Sequence, residues 1–268
     1  MTDPRLVPDH ERPGSWMVRV DGTDQSYVDP YDPTYLEFDY VQRVADVIDT
    51  AFPVGQRIRA VHVGGAGMTL PRYIAHTRAT SAQIVFEPDE SLTAAVREVA
   101  PLPKHSGIKV RPSDGVAGVM ALGDDYVDLV IVDAFVGARV PAALGEVTWF
   151  AQVRRVIGAA GVMIMNLTDQ APFHYARRVV AGIAGQFAPV VVGAEPSTLK
   201  GRRFGNLVVA AGQSVSGAAL VRRAAAAYFP YRILDDLELD RWLGGARPFT
   251  ADDAEASPMP LDGPTTFR

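Results

Sequence analysis

Four short segments carry side chains whose types and spacing could do chemistry. Gly64-Gly65-Ala66-Gly67 follows an apolar run at 58–63, and Glu87 ends a second apolar run at 83–86. Asp114-Gly115 follows a third run near 107–110, and Asp133 follows the almost wholly apolar segment 127–132. Strand, glycine loop, helix, strand and acid is the layout of a nucleoside-binding βαβ unit. Glycines let the backbone approach a ligand without hindrance from Cβ, and a carboxylate at the second strand end can accept from both ribose hydroxyls. The pattern G-x-G-x-x-G is incomplete, because Gly65-Ala66-Gly67 is followed by Leu70 where a third glycine would stand. That favours a mononucleoside over a dinucleotide. Each piece also has a plainer use. The glycines could simply form a tight turn, and Glu87 could cap the helix that Pro88-Asp89 opens. Asp114 could accept from an adenine amine, with Gly115 admitting the flat base, or could cap a helix. In an open α/β sheet, ligands sit outside the carboxyl ends of the strands. Glycine or acid at four such ends therefore points to one shared, acidic crevice that suits a cationic ligand.

The elements that must position these residues read as follows. Strands are expected near 58–63, 82–87, 107–110, 127–132, 160–166, 189–194 and 204–210, with helices near 68–77, 89–99, 114–121, 146–157 and 173–186. Alternation of this kind gives an α/β sheet covered by helices on both faces. The segment 127–132 has the composition of a central strand buried on both sides. The link between the last two strands is too short for a crossover helix, so that pair is expected to be antiparallel. Ahead of the sheet, 16–20 and 25–28 flank Asp21-Gly22 and read as a β-hairpin. Asp32-Pro33 is expected to open a helix whose apolar face carries Phe38, Val41, Ala45, Ile48 and Phe52. A further helix is expected at 216–228. The domain reading is a flexible leader at 1–15, hairpin and helix at 16–55, a Rossmann-like nucleoside-binding domain at 56–244, and a disordered tail at 245–268.

With 268 residues, 48% of them hydrophobic, the chain can bury a sizeable core. A net charge of −5 argues against a nucleic-acid partner held through phosphates. The absence of cysteine excludes disulfides and thiolate metal sites. The five histidines show no metal-ligand spacing, and His62, inside a strand, reads as a hydrogen-bonded core residue. No metal is expected. The first twelve residues have no apolar signal region and no run has the length of a membrane span, which points to a cytoplasmic protein away from membranes.

In order along residues 16–210, the segments resemble the spermidine synthase (polyamine aminopropyltransferase) family. Val20-Asp21-Gly22-Thr23-Asp24-Gln25 is similar to that family's L-D-G-x-x-Q, and Tyr35-Leu36-Glu37 to its Y-H-E or Y-Q-E. Val63-Gly64-Gly65-Ala66-Gly67-Met68-Thr69-Leu70 resembles G-G-G-D-G-G-T-L. Val85-Phe86-Glu87-Pro88-Asp89 stands at the V-E-x-D segment, Asp114-Gly115 at D-G or D-A, and the run from Asp128 to Asp133 at Y-D-x-I-I-x-D. The resemblance implies a class I methyltransferase-like Rossmann fold with a mostly parallel seven-stranded sheet and a small N-terminal β-hairpin domain. It further implies a homodimer, with decarboxylated S-adenosylmethionine or S-adenosylmethionine as donor substrate and a small amine or other cation as acceptor. By the same resemblance Gln25, Gly64, Gly65, Gly67, Glu87, Asp114 and Gly115 hold the nucleoside. Asp133 and Tyr35 then serve catalysis, with Tyr35 lining the amine pocket.

Three departures fall on the side that would hold the amine. Ala66 replaces the loop acid, Leu36 replaces the His or Gln after the tyrosine, and Val136 replaces the second carboxylate of D-x-x-D. A multiply charged polyamine taken out of water needs paired carboxylates, so this side is degenerate. The readings that stay open are aminopropyl transfer with Asp133 as base, methyl transfer from the same sulfonium, and nucleoside binding without catalysis. For intact S-adenosylmethionine, the carboxylate partner would be Arg72, Arg139 or the segment from Lys200 to Arg203.

Overall fold

The structure, a computed structural model, describes residues 3–260. Its strands are β1 (Leu6–Pro8), β2 (Trp16–Val20), β3 (Thr23–Val28), β4 (Arg59–Val63), β5 (Ala82–Phe86), β6 (Ile108–Arg111), β7 (Val127–Val132), β8 (Ile157–Asp169), β9 (Val190–Ala194), β10 (Gly205–Ala211) and β11 (Arg232–Leu234). Its helices are α1 (Asp39–Ala51), α2 (Thr69–Thr77), α3 (Glu90–Val99), α4 (Gly115–Met120), α5 (Val147–Val156), α6 (His174–Ala184), α7 (Pro196–Leu199), α8 (Gly217–Ala226) and α9 (Asp236–Leu243). Strands β4 to β11 form one sheet in the order β11-β9-β10-β8-β7-β4-β5-β6. The pairs β4–β5, β5–β6, β4–β7 and β7–β8 are parallel. Strand β10 runs antiparallel to both β8 and β9, as the short connection requires. This is the Rossmann-like layout expected of the chain, with an eighth strand, β11, added antiparallel at the edge.

Alternation along the central strands sorts the core into two layers. Val61, Val130, Val132, Met163 and Met165 face α5 and α6, while Ala60, Leu129, Ile131, Val162 and Ile164 face α1, α2 and α8. The α1 face buries Val41, Val44, Ala45, Val47 and Ile48. Among the described residues no helix is long and apolar enough to cross a membrane.

Three expectations are corrected. First, no helix starts at Pro33. Asp32 Oδ1 accepts from the Thr34 N–H and hydroxyl, and its other oxygen takes Arg12, so this segment is a side-chain-stabilised turn and the helix starts at Asp39. Second, the leader is partly structured. β1 pairs with β2 and turns the hairpin into a three-stranded sheet, buries Leu6 beside Val18, Met68 and Leu92, and Arg5 bonds Asp89 at 2.8 Å. Third, residues 245–260 pack on the body. Phe249 is 0% exposed, its carbonyl accepts from Val147 N–H at 3.0 Å, and Arg178 lies 3.9 Å over its ring. Ser257, equally buried, bonds the backbone of Val140 in both directions. The remainder of the expected leader and tail, 1–2 and 261–268, lies outside the described residues.

Phe249→Ala should therefore cost about 3–5 kcal/mol, the usual range for emptying a buried aromatic site. Urea unfolding measures it, and a loss under about 1 kcal/mol would mean that this segment does not belong to the cooperative core.

Candidate active site

The glycine loop is shaped by close approaches on three sides. Gly64 has φ +87°, and a Cβ there would lie 2.2 Å from the carbonyl oxygen of Asp133 at the tip of β7. A Cβ on Gly65 would meet Val85 at 2.5 Å, and one on Gly67 would meet Ser26 Oγ of the small sheet at 2.7 Å. These are distances that real Cβ atoms do not tolerate against backbone or packed side chains. Glu87 then fastens the loop to β5. Its Oε2 accepts from the N–H groups of Gly65 at 3.0 Å and Ala66 at 3.2 Å, and its Oε1 accepts from Asp89 N–H at 3.0 Å. A carboxylate offers about four acceptor sites, so one remains for a further donor. Asp114 is exposed and caps α4, with Oδ1 accepting from Val116 N–H at 2.9 Å and Ala117 N–H at 3.2 Å. Gly115 is needed for packing, since a Cβ would meet Val63 at 2.2 Å.

One strand away from the loop, Asp133 sits in a built hydrogen-bond cluster. Tyr40 of α1 donates its hydroxyl to Oδ2 at 3.2 Å, and Asn166 of β8 donates Nδ2–H to Oδ1 at 3.0 Å. Burial raises the Asp133 pKa above the ordinary carboxylate value, while the bonds from Asn166 and Tyr40 act against that rise. Burial and the neighbouring carboxylate push the Tyr40 hydroxyl well above its ordinary value, so it remains a donor. Phe38 stacks on the Tyr40 ring, with centroids 5.9 Å apart. A carboxylate held this way is oriented and primed to take a proton.

Two cavities meet beside this cluster. The smaller, about 50 Å³, lies between Gln25, Gly64, Gly65, Ala66, Tyr40 and Asp133. The larger, about 250 Å³, reaches from Gln25 and Tyr40 past Asn166 to Arg43, Thr198 and Arg203. Gln25, Tyr40 and Phe135 line both. The small sheet delivers Gln25 because Thr69 bridges it to α2, donating to the Tyr27 carbonyl at 2.5 Å and bonding Ser26 at 2.9 Å. His62 also borders the smaller cavity, and burial lowers its pKa to about 4, so it is neutral. It bonds Gln83 at 2.9 Å, as expected of a core histidine.

The structure thus brings Gln25, Gly64, Gly65, Glu87 and Asp133 together, with Gly67 wedged against the small sheet. Asp114 and Gly115 stand along the same sheet rim, beyond the residues that line the two cavities. Tyr35 is placed elsewhere. Its hydroxyl bonds Glu37 at 2.7 Å, and its ring is covered by Arg12 at 3.8 Å, so it lines neither cavity. Tyr40 occupies the place beside the carboxylate. Arg72 is buried and donates to the carbonyls of Ala100 and Pro101, and Arg139 donates to those of Ala256 and Ser257. Of the expected anion partners only Arg203 lines a cavity, and it pairs with Glu195. Sequence reasoning missed Tyr40, Arg43 and Asn166. The signal for Asn166 was a lone amide inside the apolar run 162–167.

Among solved structures, a probable spermidine synthase from Corynebacterium glutamicum ATCC 13032 is similar at 26% identity over 95% of each chain, with a TM-score of 0.84. Human methyltransferase-like protein 13 in complex with SAH is similar in fold at 18% identity, covering 79% of this chain and 93% of its own, with a TM-score of 0.54. A spermidine synthase in complex with the transition state analogue AdoDATO is similar in fold at 13% identity over 92% of this chain and 77% of its own, with a TM-score of 0.52. No protein-family model and no curated protein matches the sequence.

The raised pKa of Asp133 has a consequence for stability. The folded chain keeps this proton at pH values where the unfolded chain has released it. The associated stability is complete below the unfolded value near 3.8 and is lost as pH rises through the raised folded value. Asp133→Asn removes the cost of burying the charge. Its thermal midpoint should exceed the parent's at pH 7, with the gap closing as pH falls below 4. A gap that stays constant across that range, followed by calorimetry, would mean the carboxyl is not strained by burial.

Proposed function

We propose that this chain, spermidine-synthase-like in sequence order and methyltransferase-like in fold, is a transferase that moves an aminopropyl group from an adenosyl sulfonium donor to an amine. The observation that carries the reading is the joint of the two cavities. A carboxylate held by Tyr40 and Asn166 stands where a nucleoside-side cavity meets a larger one. The likeness to the Corynebacterium glutamicum protein, a probable spermidine synthase, supports it over nearly the whole chain. The fold neighbours solved with SAH and AdoDATO support an adenosyl donor.

In this reading Glu87 spends its remaining acceptor site on the ribose, while Asp114 and Gly115 receive the adenine. Gln25 closes the nucleoside from the small sheet. The aminopropyl arm points toward Asp133 with its positive sulfur beside the carboxylate. The acceptor nitrogen attacks the carbon attached to sulfur, a C–N bond forms as the C–S bond breaks, and methylthioadenosine leaves with the electron pair. An alkylamine is mostly protonated at neutral pH, and Asp133 takes the proton the nucleophile must lose. Proximity and alignment supply much of the rest of the acceleration. Tyr40 and Asn166 act as positioning residues because they fix both carboxylate oxygens. Methyl transfer is the second reading, favoured by Ala66, Leu36 and Val136 where the resemblance expects polar or acidic groups. Val136 is 74% exposed and offers no carboxylate to an amine.

The test incubates the protein with a panel of primary amines and either donor, and mass spectrometry reads which group the product has gained. An aminopropyl gain supports the first reading and a methyl gain the second. In calorimetry, Glu87→Ala or Asp114→Ala should weaken methylthioadenosine binding about ten- to a hundredfold, the loss expected of one charge-assisted contact, and more than Asp133→Ala does. Equal effects of all three, or no methylthioadenosine binding by the parent, would overturn the assignment.

A further inference from the structure

Three side chains that line the larger cavity carry buried polar atoms whose bonding is incomplete. Arg43, Asn166 and Thr198 are 3, 2 and 1% exposed. Among the described residues, Arg43 Nε, Asn166 Oδ1 and Thr198 Oγ1 have no hydrogen-bond partner. Buried polar atoms are almost always paired, so three on side chains around a single cavity call for a polar partner, ordered water or a ligand. They also differ in kind. Asn166 Oδ1 accepts, Arg43 Nε donates and carries charge, and a threonine hydroxyl does either.

The carboxylates of this cavity are already matched. Asp24 bonds Arg19 at 2.6 Å, Asp39 pairs with Arg43, and Glu195 pairs with Arg203. A diamine would bring one nitrogen to Asp133 and leave a second ammonium beside paired acids and an arginine with a spare N–H. Burying a cation there without its own counter-charge is unfavourable. A carboxylate at that end instead meets the Arg43 guanidinium, whose Nε–H has no partner among the described residues.

The spacing is set by α1. Tyr40 and Arg43 are three residues apart, so they stand one above the other, with Cβ atoms about 5–6 Å apart. Tyr40 reaches Asp133 and lines both cavities, while Arg43, about one turn along α1, lines only the larger. A ligand bridging them has its nucleophilic nitrogen near Asp133 and Asn166 and its anionic group near Arg43 and Thr198.

We propose that the acceptor bound in this cavity carries a carboxylate as well as the reacting amine, as an amino acid does, and is not a simple diamine. This deepens the transfer reading and rests on it for the direction of the reaction. The recognition of the carboxylate rests on the cavity alone.

Ornithine and putrescine differ by one carboxylate and make the test pair. Calorimetry on the full chain, with and without saturating methylthioadenosine, should show ornithine binding at least tenfold tighter than putrescine. Arg43→Gln should remove about tenfold of the ornithine affinity without weakening putrescine. Thr198→Val, a near-isosteric change, should weaken ornithine several-fold and keeps the test open if the arginine variant fails to fold. Equal or tighter putrescine binding, or no measurable binding of either amine, overturns the inference. If Arg43→Gln instead weakens S-adenosylmethionine but not its decarboxylated form, and ornithine has no advantage, the carboxylate belongs to the donor and the inference fails. Methylthioadenosine titrated alone reads the transfer assignment separately. Its binding without an ornithine preference sinks only the carboxylate proposal, and its failure to bind sinks the assignment itself.

Discussion

Val63 pairs with Val132, and Val132 pairs with Met165, so β4 and β7 end level with each other beside Met165 of β8, which runs on. The next residue along the chain in each case is Gly64, Asp133 or Asn166. This parallel register places a glycine, an acid and an amide side by side at one rim, and the rest of the site depends on it. The contact is tight enough to dictate residue type. With the Asp133 carbonyl 2.2 Å from the position of a Cβ, only glycine fits at 64, and its positive φ turns the chain into the loop that Glu87 then holds. A shift of register by one residue would turn the chemistry-bearing side chains to other faces and break the Asp133–Asn166 bond.

The small N-terminal sheet closes this rim from above. Gly67 is pressed against Ser26, and Thr69 at the start of α2 holds the backbone of Tyr27. These contacts fix where Gln25 stands, and Gln25 is common to both cavities. β1 adds to that closure from the chain start, since Leu6 shares a cluster with Met68, the residue just before α2. A segment that reads as a polar, proline-bearing leader is thereby tied to the glycine loop through apolar packing.

Much of the fold was legible because its signals are local. Apolar runs ending in glycine or acid locate β4, β5, β6 and β7, and helical spacing locates α2, α3, α5 and α6 to within a residue or two. What stayed hidden depends on tertiary context. β11 is three residues long and pairs only because β9 presents an edge to it. Phe249 is a lone aromatic in a stretch of Pro, Asp and Ala, where composition points to disorder and burial against α5 and α6 decides otherwise. Tyr35 carried the motif signal, yet Asp32 makes a turn that delays the helix, and it is Tyr40 that α1 turns toward Asp133. Arg43 was invisible for a related reason. An arginine on an amphipathic helix reads as a solvated residue until the sheet beside it shows that its face is covered.

The losses and the gain on this side of the site form one electrostatic argument. Ala66, Leu36 and Val136 stand where the resemblance would place polar or acidic groups around an amine, while Arg43 and Arg203 bring two guanidinium groups into the larger cavity. A site that had only lost acids would be left apolar, with its acceptor end undefined. Here the acids that line the larger cavity are each bound to an arginine, and the charge left with an unused donor is positive. Burial makes that balance matter more than in water, because an unpaired charge in a low-dielectric cavity is strongly penalised and a matched one is strongly oriented. Asp133 is thus the only carboxylate of the two cavities held by neutral donors, Tyr40 and Asn166, with no arginine at hydrogen-bond distance among the described residues. Burial raises its pKa and the two neutral bonds act against that rise, which sets it apart from the arginine-bound acids beside it.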